Sequence, residues 1–185
     1  KGFERGLISV GKTAGIQGDE LVALGKDVDA LSRRLPVATA TLLDVASAAG
    51  SLGIKGSANI ALFTETVAKL GTASDLSGDT AANALAQILN TTGESTDQVR
   101  VLASVIVALG NDSNATESQI ASLATNIAAA TAAFHVSSTD AAAMAAALAS
   151  IGVQAELGGS VIGRSFQTID QQTRQGAEHF KDLEK

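Results

Sequence analysis

Two histidines, His135 and His179, are the side chains of this 185-residue sequence that are best suited to acid–base chemistry or metal binding. A metal site on a helix needs a second ligand three or four residues away, where it lies on the same face. Neither histidine has a second histidine at that spacing, and Glu178 directly precedes His179 and therefore faces elsewhere. General acid–base catalysis also needs several groups that converge. We therefore interpret both histidines as turn or surface residues.

Three other groups of polar residues suggest chemistry, but each lacks an essential part. Residues 111–117 superficially resemble a calcium loop, yet no glycine stands at the sixth position and no glutamate at the twelfth. Residues 158–160, Gly-Gly-Ser, lack the lysine and the preceding strand of a phosphate-binding turn. Asp27 and Asp29 are two residues apart, so a helix sends them to different faces. With no cysteine and no G-x-S-x-G motif either, the sequence predicts no catalytic, cofactor-binding or metal-binding residue.

The composition is that of a chain with many apolar residues but few large ones. Hydrophobic residues make up 45% of the sequence and aromatic residues only 3%, with alanine prominent among the former. Each buried methylene stabilises a fold by about 0.8 kcal/mol, and alanine offers only a methyl group. We therefore predict a shallow core and low stability.

The charge balance restricts the class of partner. A net charge of −6 and a pI near 4.8 argue against nucleic acid or an anionic membrane as the main partner. Residues 141–163 are weakly charged, but a membrane span needs about 20 mostly apolar residues, for which alanine and glycine are poor substitutes. Because the sequence starts at Lys1 and its single methionine is Met144, we expect it to be part of a longer protein.

The spacing of apolar residues and turn residues predicts an all-α fold. Apolar residues recur at helical intervals, and strand-like alternation is absent. The predicted helix stops are Pro36, Gly53, Gly71, Gly93, Gly110 and Gly152, and Pro36 is also expected to open the following helix. The predicted N-terminal caps are Ser57, Ser77 or Asp79, Ser95 with Gln98, Asn114 with Glu117, and Ser137 with Asp140. We expect a compact bundle of about seven to eight short helices.

One helical hairpin is duplicated within the sequence. Residues 43–70 predict two helices that are hinged at Gly53, where glycine can adopt a left-handed conformation and Ile54 can fold back on the last turn. A near copy lies 99 positions downstream at residues 141–169, and its hinge is at Gly152. From this pattern we divide the chain into an entry linker or loose helix at residues 1–18, a helical domain at 19–166 and a polar exit helix at 167–185.

Seven short motifs follow one another from about Gly11 to Ile169. They are VGK at 10–12 with GI at 15–16, LS at 31–32 with LPVA at 35–38, AAGSLGI at 48–54, FT at 63–64, DLS at 75–77 with AA at 81–82, VALGN at 107–111 with ATES at 115–118, and LASIGVQAE at 148–156 with GG at 158–159. In this order they resemble the core region of phage tail tape measure proteins. The sequence departs from that pattern at Ser51, where a glutamine is often expected, and at Val161 and Ile162, where alanine-rich sequence is usual.

The resemblance implies a structural role without catalysis. Tape measure proteins occupy the lumen of the tail tube during assembly, set tail length and leave the tube ahead of the DNA. The implied partners are tail tube, tail tip and tail assembly chaperone proteins and further copies of the chain, without specific nucleic acid, and with membrane contact only during ejection. The implied location is the virion tail lumen, and the host cytoplasm during assembly. The alternative is a ruler or binding module of a bacterial contractile injection system.

Overall fold

The computed structural model describes residues 2–183, and it describes side chains for residues 2–175. Over this range the chain forms nine α-helices and no strand, which confirms the all-α prediction. The helices are α1 Gly2–Ala14, α2 Gly18–Arg34, α3 Thr39–Ser51, α4 Ser57–Ala73, α5 Gly78–Thr92, α6 Val99–Asp112, α7 Glu117–Thr131, α8 Ser138–Ser150 and α9 Ala155–Leu183. Single 3₁₀ turns at Thr96–Gln98 and Ala132–Phe134 precede α6 and follow α7.

The helices form two layers that alternate along the chain. α1, α3, α5, α7 and α9 lie side by side in one layer, and α2, α4, α6 and α8 form the other. Each helix packs mainly on the next helix and on the next but one. Such nearest-neighbour packing is typical of stacked helical hairpins, in which each pair buries its apolar face against adjacent pairs.

The core between the layers is rich in alanine. Alanine is the commonest of the buried apolar residues, and Phe63 is the one fully buried aromatic residue in the part of the chain that the structure describes. Leucine and isoleucine supply the other large buried side chains, such as Leu24, Ile60 and Leu85. None of the helices within the described residues has both the length and the hydropathy required to cross a membrane.

The duplicated hairpin predicted from the sequence is present. α3 and α4 are the first copy, and α8 and the start of α9 are the second. Both hinge glycines have left-handed backbones, with φ of +92° at Gly53 and +82° at Gly152. A residue with a Cβ is strained at these angles, so glycine is the residue that the hinge requires.

The two hinges also repeat the same backbone hydrogen bonds. The N–H of Ile54 donates to the carbonyl of Ala49 at 3.0 Å, and the N–H of Val153 donates to the carbonyl of Leu148 at 3.0 Å. This bond across six residues, together with a left-handed glycine, defines the Schellman motif. The corresponding helices of the two copies lie in opposite layers. The second helix of the first copy, α4, lies among the even-numbered helices, whereas that of the second copy, α9, lies among the odd-numbered ones.

Two of the predicted N-terminal caps are confirmed. The Ser77 hydroxyl accepts a hydrogen bond from the N–H of Thr80 at 3.2 Å at the start of α5. The Ser137 hydroxyl accepts one from the N–H of Asp140 at 3.1 Å at the start of α8. Each side chain satisfies a backbone donor that the helix itself leaves without a partner.

The other predicted caps are wrong. The capping box of α7 is formed by Thr116 and Gln119, two residues beyond the predicted pair, Asn114 and Glu117. Ser95 makes no capping bond, because a 3₁₀ turn intervenes before α6 and its hydroxyl bonds to the carboxylate of Asp97. Ser57 is the first residue of α4 rather than its cap.

The predicted helix stops are also only partly correct. Gly93 ends α5 with φ of +73°, as expected, and α2 ends at Arg34, just before Pro36. Pro36 does not open the next helix, because α3 begins at Thr39 after an extended residue. Gly71 and Gly110 lie inside α4 and α6, which continue to Ala73 and Asp112. Glycine does not end a helix where the backbone keeps a helical φ.

The first helix packs on the stack, and the last is the longest of the helices that the structure describes. Within residues 1–18, α1 packs on α3 with Val10 fully buried, and a Cβ at Gly50 would lie 2.7 Å from the amide nitrogen of Ala14. α9 continues through position 166 to Leu183 without interruption. The division into parts at 1–18, 19–166 and 167–185 stays a prediction.

Candidate functional site

The structure describes the side chain of one of the two histidines, His135. His135 is exposed and lies in the turn after α7, where it adopts a left-handed φ of 53°. His179 lies on α9 beyond residue 175, so its side chain falls outside those that the structure describes. No group of three or more His, Cys, Asp or Glu side chains able to hold a metal ion occurs within the described residues.

The other residues that suggested chemistry in the sequence lie in helices and in the turns between them. Asp29 forms an ion pair with Arg33 at 2.7 Å on α2, and Asp27 is exposed on the same helix. Residues 111–117 span the end of α6, a turn and the start of α7. Residues 158–160 lie in the first turns of α9, where the two glycines are buried against α7.

A groove lies between α4 and α6 on the described surface. We call it the α4–α6 groove, and it has a cavity volume of 390 Å³. It is lined by Glu65, Thr66, Lys69, Leu70 and Ala73 of α4, and by Arg100, Ala103, Ser104 and Val107 of α6. Because these helices are neighbours in one layer, their outward ridges form its two walls.

Two further depressions adjoin this groove. One lies between α2 and α4, has a volume of 260 Å³, and includes Arg34, Glu65 and Arg100 in its lining. The other lies over the outward face of α6 and is lined by Arg100, Val101, Ser104, Val105 and Ala108. Arg100 therefore stands where all three depressions meet.

A cluster of cations surrounds one carboxylate at this point. The side chain of Glu65 is 20% exposed. Its carboxylate forms an ion pair with Lys69 at 2.7 Å, and it lies 3.9 Å from the guanidinium group of Arg34. The hydrogen bond from Lys69 lowers the pKa of Glu65 most; burial opposes it, and the charges of Lys69, Arg34 and Arg100 lower it further. The carboxylate therefore stays ionised and neutralises one of the three surrounding positive charges.

Arg100 has no direct partner of its own in the described structure. Its side chain makes no hydrogen bond or ion pair with any described residue, although its charge acts on Glu65. A guanidinium group presents several donors in a rigid plane and binds carboxylates in a bidentate manner. The groove therefore has an unused anion-binding group beside apolar walls, and it has no histidine or cysteine in its lining.

Carboxylates from distant parts of the chain cap several of the helices. Asp75 accepts hydrogen bonds from the N–H of Ser118 at 2.9 Å and from its hydroxyl at 2.6 Å, at the start of α7. Burial acts to raise the pKa of Asp75, but the hydrogen bonds from Ser118 and Thr116 outweigh it and lower the pKa. An anion at a helix N-terminus is stabilised by the helix dipole.

The same arrangement holds α4 and α8 in place. Glu20 accepts a hydrogen bond from the N–H of Ser57 at 2.9 Å, and Glu94 accepts one from the N–H of Ser138 at 2.9 Å. Ser138 is buried, and its hydroxyl also bonds to the carboxylate of Glu94. These contacts join residues that lie 37 and 44 positions apart, which a local sequence pattern cannot reveal.

Comparison with known proteins gives one match. A family model described as phage-related minor tail protein matches residues 25–185. Among curated proteins and solved structures, none matches the chain. The matched region includes both copies of the hairpin and the whole of the α4–α6 groove.

Proposed function

This chain belongs to the phage-related minor tail protein family, and from that premise we propose that it is a segment of a tail tape measure protein. As a family member it is a structural component of a phage tail. The observation that carries the finer proposal is the overlap between the family match at residues 25–185 and the ordered motifs between Gly11 and Ile169. The proposed roles are tail length determination, tail assembly and genome delivery.

The packing of the stack supports a mechanical role. A single helix of 185 residues would extend about 280 Å, whereas a compact domain of this length has a diameter near 40 Å. A folded domain of that width has to sit at one end of a narrow tube or to unfold in order to pass along it. The alanine-rich core and the nearest-neighbour packing favour opening, because each helix pair is held only by its neighbours.

The exposed apolar side chains support contacts with other tail proteins and with further copies of the chain. Phe3, Ile8 and Val22 are exposed on α1 and α2, and Leu157 and Ile169 are exposed on α9. Phe3 and Val22 line one depression between α1 and α2, and an exposed apolar patch of this kind is typical of a protein interaction site. We propose tail tube, tail tip and tail assembly chaperone proteins as partners, and the tail lumen of the virion as the location.

The test is an in-frame deletion of residues 39–150 from the parent gene of the phage that encodes it. If the segment acts in length determination, the mutant produces tails of altered length or stops before tails are complete. Electron microscopy of purified particles measures tail length, and mass spectrometry of the same particles shows whether the shortened protein is present. Supplying the intact gene in trans is the control and restores normal tails. Tails of normal length that contain the shortened protein would contradict the proposal.

A further inference from the structure

We propose that the α4–α6 groove binds an acidic amphipathic helix of a partner protein. The shape of the groove is the first reason. Its volume of 390 Å³ lies in the range of ligand sites, and its walls include the small or apolar side chains Ala73, Ala103 and Val107. Two neighbouring helices with small residues between them accept a third helix along the groove, as in helix-in-groove recognition.

The apolar surface continues from the groove onto the outward face of α6. Val101 is 48% exposed, and Val105 and Ala108 line the same depression. A helix face that points to solvent normally carries charged residues, whereas in this stripe of α6 Arg100 is the one charged side chain. The apolar face of a docked helix would cover this stripe and the groove together.

The charge of the site selects an acidic occupant. The chain as a whole has a net charge of −6, but Arg34, Lys69 and Arg100 surround the carboxylate of Glu65, and Asp27 is the other carboxylate in the lining of the adjoining depression. Two carboxylates leave one of these three positive charges uncompensated, and Arg100 has no direct partner among the described residues. Carboxylates on one edge of an amphipathic helix would complement this rim and form charge-assisted hydrogen bonds with the guanidinium groups.

The duplicated hairpin indicates that the hinge does not need the ion pair between Glu65 and Lys69. In the second copy, Arg164 takes the position of Glu65 and Thr168 that of Lys69, yet the hinge keeps the same hydrogen bonds. The ion pair between Glu65 and Lys69 is therefore additional to what the hinge requires. Lys69 is thus available for recognition together with Arg34 and Arg100, which lie outside the hairpin.

The experiment measures binding of three labelled model peptides of about 18 residues, or five helical turns. The first has leucine and alanine on one face and glutamate on the other, the second has lysine in place of glutamate, and the third is a scrambled form of the first. We expect the native protein to bind the first peptide and neither of the others. Fluorescence anisotropy gives the affinity, and amide chemical shifts locate the site, which we expect on α4 and α6.

Two substitutions and one matched control test the residues. Arg100→Glu is expected to weaken binding of the acidic peptide about tenfold or more, because it removes a charge-assisted bond and adds repulsion. Val101→Ser, which changes the apolar stripe without changing charge, is expected to weaken it severalfold. Arg164→Glu makes the same charge change on α9, outside the groove, and is expected to leave the affinity unchanged. All three positions are exposed, and circular dichroism confirms that each variant folds.

Several outcomes would overturn the proposal. Absence of binding of the acidic peptide to the native protein is one, and equal weakening by Arg100→Glu and Arg164→Glu is another. Chemical shift changes outside α4 and α6 would place the interaction elsewhere. If the native protein forms dimers that Arg100→Glu converts to monomers, the occupant is a second copy of the chain and the proposed partner is wrong.

Discussion

Replacing Phe63 with alanine is expected to lower the free energy of unfolding by about 3–5 kcal/mol. Phe63 is fully buried on α4, and most of the side chains around it in the core are smaller. The loss has two parts, the transfer of the ring to solvent and the cavity that remains when neighbouring helices cannot close on it. Since natural domains are stable by only about 5–15 kcal/mol, a loss of this size is a large fraction of the total stability.

Guanidinium unfolding followed by circular dichroism measures this effect, and the duplicated hairpin supplies the control. Ile162 occupies the position of Phe63 in the second copy, but it is only partly buried on α9. Ile162→Ala is therefore expected to cost less than half as much. Equal losses for Phe63→Ala and Ile162→Ala would show that the first hairpin is not the better-packed copy.

Replacing Gly159 with isoleucine is expected to separate α9 from α7. A Cβ at Gly159 would lie 2.9 Å from the carbonyl oxygen of Asn126 and 3.1 Å from its carbonyl carbon. These are backbone atoms in the middle of a helix, so they cannot move aside as a flexible side chain would. Ile60 occupies the same position in the first copy and is fully buried. The substitution therefore makes the two copies identical at this position, yet it is expected to disrupt the packing of the second copy. Overpacking of this kind costs about 1–3 kcal/mol or more.

Hydrogen exchange locates the effect of Gly159→Ile. We expect amides of residues 155–166 to lose protection while those of α3–α6 keep theirs, because neighbouring pairs unfold separately in a stack. The same change should remove the contact between Phe134 and Phe166, whose ring centroids lie 5.4 Å apart. Ser160→Ile adds the same side chain on the exposed side of the helix and serves as the control. If the amides of α9 keep their protection from exchange in the Gly159→Ile variant, α9 packs on α7 without a glycine at this position and the prediction is wrong.

The sequence predicts the parts of this fold that depend on neighbours along the chain. The hinges at Gly53 and Gly152 are visible because a left-handed glycine and the apolar residue after it form one local motif. The caps at Ser77 and Ser137 are visible for the same reason, since donor and acceptor lie three residues apart.

Features that depend on tertiary contacts are not visible in the sequence. Ser57 fits a local cap, but the carboxylate that caps α4 comes from Glu20, 37 residues earlier. Gly110 reads as a stop, but it lies within α6, where a Cβ would be 2.6 Å from the side chain of Glu117. In such positions glycine permits a close approach instead of ending a helix.

The candidate site likewise combines a local feature, which the sequence predicts, with tertiary contacts, which it does not. Glu65 and Lys69 lie four residues apart, and their ion pair is the one part of the cluster that a helical pattern predicts. Arg34 and Arg100 belong to other helices of the same layer, and only the stacking of α2, α4 and α6 brings them to Glu65. The two-layer arrangement thus had to be known before the groove could be found.

The central claim is that this tail segment is a stack of helices held weakly enough to open. The most direct measurement is guanidinium unfolding of residues 1–185 at equilibrium, followed by refolding on dilution. An alanine-rich core with a single fully buried aromatic residue among the described positions predicts a reversible transition with a midpoint well below about 5 M. A midpoint above about 5 M, the mark of a hyperstable domain, would contradict the claim.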